Sequence, residues 1–209
     1  MASEDVHLRE AYARVGHMNL EPWAPEALEF YRKRGLSQST VHRFGLGRVP
    51  PGTKYKGLYV GGRLAIPVED GMYRVRSYRF RALDEREPKV LGNESLHLFA
   101  VRACDEETAV ITEGEINAMS AWQAGVKAVG LMGATAGWKP EWAYLFRNCA
   151  EVVLVFDDDT AGDKGWQKCW NSLRRIGLEV RRAVLPQGRD LNDLLVAEGP
   201  AAIREVLNV

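Results

Sequence analysis

The strongest constraint on this 209-residue chain lies in its last half, where short β-branched runs alternate with helical text. AVIT (109–112), AVGLMG (128–133), EVVLVF (151–156) and EVRRAVLP (179–186) are separated by EINAMSAWQAG, PEWAYLFRN and AGDKGWQKCWNSLRRIG. Strands that alternate with helices of roughly 10–15 residues build βαβ crossovers, and these demand a parallel sheet. Ligands of such sheets gather at the carboxyl ends of the strands. The chemistry is therefore expected on that rim.

The first half reads differently. PEALEFYRKRG predicts a helix with Pro25 in its first turn, Leu28 and Tyr31 on its apolar face and Gly35 as its stop. SQSTVHRFG predicts a second helix capped by Ser37 or Ser39. VPPGTKYKG is turn-forming, and from GLYVGG to RFRAL the period changes to the alternation of strands, with EDG as a hairpin turn. The cut between the halves is placed near Cys104. This predicts a smaller mixed α+β subdomain over residues 1–104 and an α/β domain over 105–209.

Charge follows the same division. The whole chain balances 28 Lys and Arg against 28 Asp and Glu, so no strongly basic total advertises a polyanion partner. Yet Pro51 to Cys104 carries ten basic residues against six acidic ones, whereas Asp105 to Val209 carries 11 against 16. A basic middle precedes an acidic last half. Arg74 and Arg76 alternate with Tyr73, Val75 and Ser77, a pattern that suits either a solvated sheet face or a polyanion surface. Tyr73, Tyr78 and Phe80 can stack bases or pack against a neighbouring sheet, with packing the commoner outcome. Trp122, Trp138, Trp142, Trp166 and Trp170 are assigned to core or partner faces, and His42 and His97 have no partner at ligand spacing. The three cysteines, Cys104, Cys149 and Cys169, are too widely spaced for a zinc clip and odd in number, so ordinary reduced thiols are expected. No apolar run approaches the roughly 18 residues of a membrane span, and the charged start lacks a signal-peptide core. A cytoplasmic protein without membrane partners is expected.

The strand ends carry the pattern that points to a reaction. After AVIT come Glu113, Gly114 and Glu115; after EVVLVF come Asp157, Asp158 and Asp159; after AVLP comes GRDLND with Asp190, Asn192 and Asp193. Carboxylates that converge on one rim raise one another's pKa unless a cation joins them. Oxygen donors with no His or Cys nearby suit Mg²⁺ or Mn²⁺, which take few protein carboxylates and leave room for substrate phosphates. Phosphoryl or nucleotidyl transfer is the chemistry implied. For Asp159 alone, capping of the following helix competes equally with metal binding.

ITEGEINAMSA, VFDDDTAGDKG and LPQGRDLNDLL resemble the three sequence blocks of a Toprim domain. FYRKRGLSQSTVHRFGLGRVPPG, RLAIP, RAL and EPKVLG are similar, in order, to the segment that opens the core of DnaG-type primases and to their basic blocks. The resemblance runs over about residues 25–200. It implies a Toprim fold preceded by a primase-core subdomain, and synthesis of short RNA primers on a single-stranded DNA template from nucleoside triphosphates. It also implies Glu113, Asp157 and Asp159 as catalytic metal-binding acids, with one or two Mg²⁺ or Mn²⁺ ions, and Asp190 with Asn192 as the third acidic block. Glu113 could instead serve as general base. Arg63, Arg81 and Lys89 match the basic residues that bind nucleotide or template. Toprim domains commonly carry an acid where this chain has Asn117, and DnaG-type primases usually carry an amino-terminal zinc module that this chain is expected to lack. The expectation is a pared-down catalytic core of phage or mobile-element type, partnered by a replicative helicase and a separate template-selecting module. The rival readings are a Toprim nuclease acting on RNA or DNA, and a non-catalytic subunit binding single strands or a helicase. A topoisomerase would need a further cleavage domain. A haloacid-dehalogenase phosphatase would need Thr or Val where Ala161 stands.

Overall fold

The computed structural model describes residues 18–72, 74–92, 97–132 and 137–209, so Tyr73 lies outside the described residues. The chain divides into two compact units, 1–94 and 95–209.

In the first unit, α1 (Pro25–Lys33) begins with proline at its first turn and ends on Arg32 and Lys33, the charge order that the helix dipole favours. Ala27 and Tyr31 form its buried stripe. Leu28 is 44% exposed, because the i, i+4 pair faces the core and its neighbour is turned outward. α2 (Gln38–Phe44) is capped by Ser37, whose Oγ accepts from Thr40 N at 3.2 Å, and Gly45 closes it in the left-handed conformation. β1 (Gly47–Arg48), β4 (Leu64–Glu69), β5 (Val75–Arg81) and β6 (Val90–Leu91) form an antiparallel sheet in the order β1-β4-β5-β6. β2 (Lys54–Tyr55) and β3 (Leu58–Tyr59) pair separately.

The β4–β5 turn is organised by Asp70. Its Oδ1 accepts from the backbone N–H groups of Met72 and Arg74, and its Oδ2 accepts from Arg74 Nε at 2.9 Å and Arg76 Nε at 2.8 Å. The two arginines singled out by alternation are thus ion-paired at the hairpin. Tyr78 and Phe80 are buried in a cluster with Val49, Val60 and Ala65, so they pack rather than present faces to bases.

The second unit is built on β7 (Thr108–Thr112), β8 (Ala128–Gly130), β9 (Glu151–Val155) and β10 (Glu179–Arg182). All neighbours are parallel and the order is β10-β9-β7-β8. Flanking helices are α3 (Glu115–Gln123), α4 (Thr160–Arg175), α5 (Leu191–Glu198) and α6 (Pro200–Leu207). The helix expected at PEWAYLFRN is a 3-10 turn, Pro140–Phe146, which buries Trp142, Ala143 and Phe146. Ile111, Val129, Val152 and Leu154 fill the sheet, packed with Trp138, Phe146, Cys169 and Leu173.

The unit boundary falls ten residues before the expected cut at Cys104. Phe99 and Gly130 exchange backbone hydrogen bonds at 3.0 Å, and Leu98, Ala103 and Cys104 belong to the core of the second unit. All three cysteines are buried free thiols; burial pushes that of Cys149 up to about 11. Among the described residues no helix is long and apolar enough to cross a membrane.

Candidate metal and nucleotide site

β7 is the first strand of the parallel sheet and lies inside it. The chain leaves β7 for β8 on one side, then returns to place β9 on the other. The β7–β9 boundary is therefore the topological switch point, where loops diverge to opposite faces and open a crevice at the strands' carboxyl ends. Thr112 pairs with Val155 across that boundary. The next residue after Thr112 is Glu113, and Asp157 follows Val155 by two. The Asp157 N–H points to Glu113 Oε2 at 3.4 Å.

Burial pushes the Glu113 carboxyl up, and the Asp157 and Asp159 charges add to it against the hydrogen bond from Asp157. Asp157 is likewise pushed up by burial first, then by Asp190, Asp159 and Asp193. Asp157 thus feels Asp159 from the end of β9 and Asp190 and Asp193 from the start of α5, and Glu113 feels Asp157 and Asp159. Asp190 follows the end of β10 by eight residues and reaches this group as the cap of α5.

The roles within it differ. Asp159 is the N-cap of α4, its Oδ1 accepting from Gly162 N at 2.7 Å. Capping and presence at the rim therefore hold at once for this residue. Asp190 caps α5 by accepting from Asp193 N at 2.7 Å, while Asp193 Oδ2 accepts from Asp190 N at 3.1 Å, a reciprocal capping box. Asn192 is not brought to the rim. It is 2% exposed, its Nδ2 donates to Ser120 Oγ at 3.0 Å, and its backbone N–H donates to Asn117 Oδ1 at 3.2 Å.

Residues unremarkable in the sequence shape the crevice. Thr112 Oγ1 contacts the carbonyls of Gly114 at 2.9 Å and Val129 at 3.2 Å, fixing the turn that carries Glu113. A Cβ on Gly162 would stand 2.2 Å from the Asp157 carbonyl oxygen, and one on Gly130 would stand 3.0 Å from both Glu115 Cα and Gly114 O. Only a residue without a side chain lets α4 start this close to Asp157. The visible signal was a glycine three places after Asp159.

The donors are hard, mutually repulsive oxygens, half-buried at Glu113 and Asp157 and exposed at Asp159, with no nitrogen or sulfur ligand among them. That chemistry fits a divalent cation such as Mg²⁺. Among the described residues no three His, Cys, Asp or Glu side chains form a ready-made cage. An ion that keeps several waters and takes one or two carboxylates plus phosphates does not need one.

The expected basic residues lie in the first unit. Leu64 pairs with Arg81, and Arg81 with Val90. Arg63 and Lys89 precede Leu64 and Val90, so register alone sets Arg63, Arg81 and Lys89 side by side at one end of three strands. Their surroundings are unequal. Arg63 is 4% exposed and donates from Nη1 to Pro88 O at 2.8 Å, so its guanidinium is turned inward. Arg81 lies over the Phe30 ring at 5.9 Å, and exposed Lys89 meets Glu85 Oε2 at 3.1 Å. Arg86, not singled out from sequence, joins them by donating to Gly61 O at 2.9 Å and pairing with Asp84.

A family profile described as Toprim-like matches residues 110–195. The gene 57 protein of Mycobacterium phage D29 is 30% identical over 137 residues, covering 64% of this chain and 87% of that protein. The DNA primase of Clostridium acetobutylicum is 24% identical over 246 residues, covering 95% of this chain and 41% of the primase; that of Pseudomonas aeruginosa is 26% identical over 88% of this chain and 34% of its own length. The chain thus spans about two fifths of these primases. Among solved structures, the Aquifex aeolicus primase (zinc-binding and RNA polymerase domains) aligns with a TM-score of 0.78 at 22% identity, over 98% of this chain and 61% of that one. A DnaG primase catalytic domain bound to ssDNA aligns with a TM-score of 0.76 at 21% identity, over 100% and 80%.

Proposed function

Because the chain belongs to the DnaG-type primase family and carries its Toprim domain, we propose that it synthesises short RNA primers on single-stranded DNA by metal-dependent nucleotidyl transfer. The observation that carries this reading is the placement of Glu113 and Asp157 at the switch point of the parallel sheet. Asp157 and Glu113, with Asp159 and Asp190 beside them, would hold one or two divalent ions, Mg²⁺ or Mn²⁺. Such an ion, when bound, polarises the α-phosphate of the nucleoside triphosphate and lowers the pKa of the attacking 3′-hydroxyl.

The chain's own groups do the rest. The Asp157 N–H orients Glu113 through Oε2, leaving Oε1 for the ion or, if Glu113 serves instead as general base, for the hydroxyl proton. Arg81 and Lys89 neutralise triphosphate or template backbone, Arg81 through the forked donors that phosphate accepts. Arg63, turned inward, supports them by holding the carbonyl next to Lys89. A replicative helicase and a separate template-selecting module are the proposed protein partners, and the cytoplasm the proposed place of work.

The test is to incubate the protein with single-stranded DNA, labelled nucleoside triphosphates and Mg²⁺ or Mn²⁺, and to resolve the products on a denaturing gel. Short RNA that disappears in the Asp157→Ala, Asp159→Ala double variant is expected. Template degradation in its place would reassign the rim to hydrolysis. No product from any template, with or without a helicase, would leave only binding.

A further inference from the structure

The third acidic block sits at the first turn of α5, and its capping box is not all that holds that turn. The leading N–H groups of a helix lack partners within it. Asp190 supplies one, taking the N–H of Asp193. The N–H of Asn192 is taken by another helix, through Asn117 Oδ1 of α3 at 3.2 Å. One turn further along α3, the Ser120 hydroxyl donates to Ile116 O at 3.0 Å, so its lone pairs face Asn192 and accept Nδ2 at 3.0 Å. Asn117, Ser120 and Asn192 are 8%, 0% and 2% exposed. The contact is buried, neutral and hydrogen-bonded, the condition under which buried polar groups fix a single arrangement.

Building on the metal-rim reading above, we infer that Asn192 is a positioning residue and not a metal ligand: Asn117 takes its backbone N–H and Ser120 its side-chain amide, and this clamp holds the start of α5 so that Asp190 and Asp193 stand toward Asp157. α3 begins two residues after Glu113 and α5 begins directly after its cap, Asp190, so the clamp ties the first acidic block to the third. A tie of this kind tunes cation affinity without touching the cation, as partners behind metal ligands commonly do. It also gives Asn117, which stands where an acid is common in Toprim sequences, a use for its amide oxygen.

The clamp and the ligand reading part company at Asn192→Asp. A ligand gains charge and should bind the cation at least as well. A clamp loses its Nδ2 donor and gains a buried charge, which Ser120 can meet only by turning its proton away from the Ile116 carbonyl.

Binding of Mn²⁺ to the full chain, followed by the paramagnetic resonance of the unbound ion, reads this directly without any polymerisation. The clamp predicts roughly tenfold weaker Mn²⁺ binding in Asn192→Asp and Ser120→Ala, and a change of no more than about twofold in Asn117→Asp, which keeps the acceptor. Melting followed by circular dichroism confirms that each variant folds, and Ser120→Ala carries the test should Asn192→Asp not fold. Equal or tighter binding in Asn192→Asp would make Asn192 a ligand and overturn the clamp. Unchanged binding in Ser120→Ala would overturn it as well. Wild-type protein that binds no more Mn²⁺ than Asp157→Asn would instead overturn the rim reading on which the clamp depends.

Discussion

At Asp157 burial and three neighbouring carboxylates act in one direction, each disfavouring the ionised form. In the unfolded chain an aspartate titrates near about 3.9, and the folded value lies above it. The folded state therefore holds more protons in between, and stability falls as pH rises from about 4 through the folded value. Asp157→Asn removes the penalty. In EDTA at pH 8 it should melt higher than wild type, with the gap closing near pH 4; thermal melts across that range check this. A lower Tm at pH 8 would mean that the carboxylate is not under strain. Reading strand ends from the sequence was enough to put Glu113 and Asp157 just past the carboxyl ends of two neighbouring strands. It did not reveal that Asn192 faces inward while Asp190 and Asp193 act on Asp157, because a helix cap and the second and third helical positions point in different directions and only the α3 contact selects one.

Elements, not single groups, decide how closely these acids approach. α4 starts against the backbone of Asp157, and Gly162 makes that approach possible. Gly162→Ala should cost about 1–3 kcal/mol, the usual range for overpacking, and abolish primer synthesis. Gly114→Ala, where an added Cβ meets nothing within 4 Å, should stay within about 0.5 kcal/mol of wild type. Urea unfolding of both variants gives the comparison; equal losses would show that the close approach is unimportant. In the first unit, Ser37→Ala should cost about 1 kcal/mol by removing the α2 cap. Caps, turns and strand periodicity were readable because they depend on neighbours in sequence. The 3-10 turn at Pro140–Phe146 and the outward Leu28 were not, since packing against distant residues sets them.

On the scale of the whole molecule, the balance of 28 against 28 conceals two opposed chemistries, one in each unit. A basic sheet end carries Arg81 and Lys89, and an acidic rim carries Glu113 and Asp157. If the sheet end meets template phosphates, binding to single-stranded DNA must weaken as salt rises. The Arg81→Ala, Lys89→Ala double variant should also lower the slope of log affinity against log salt by roughly 1–2. Fluorescence anisotropy of a labelled oligonucleotide measures that slope, and an unchanged one would remove these residues from the interface. The order of the sequence blocks made both units recognisable. The inward turn of Arg63 and the contribution of Arg86 became visible only with the cross-strand register and the carbonyls that it exposes.

In the proposed reaction the rim of Glu113 and Asp157 holds a cation against the nucleotide's α-phosphate. The most direct measurement is RNA synthesis from single diastereomers of nucleoside 5′-O-(1-thiotriphosphate), in Mg²⁺ and in Mn²⁺, on a single-stranded template. Sulfur is a poor ligand for a hard ion and a better one for a softer ion. One diastereomer should therefore be used poorly with Mg²⁺ and regain activity with Mn²⁺, and neither ion should support synthesis in Asp157→Ala. Equal use of both diastereomers with both ions, or synthesis that survives Asp157→Ala, would contradict the account.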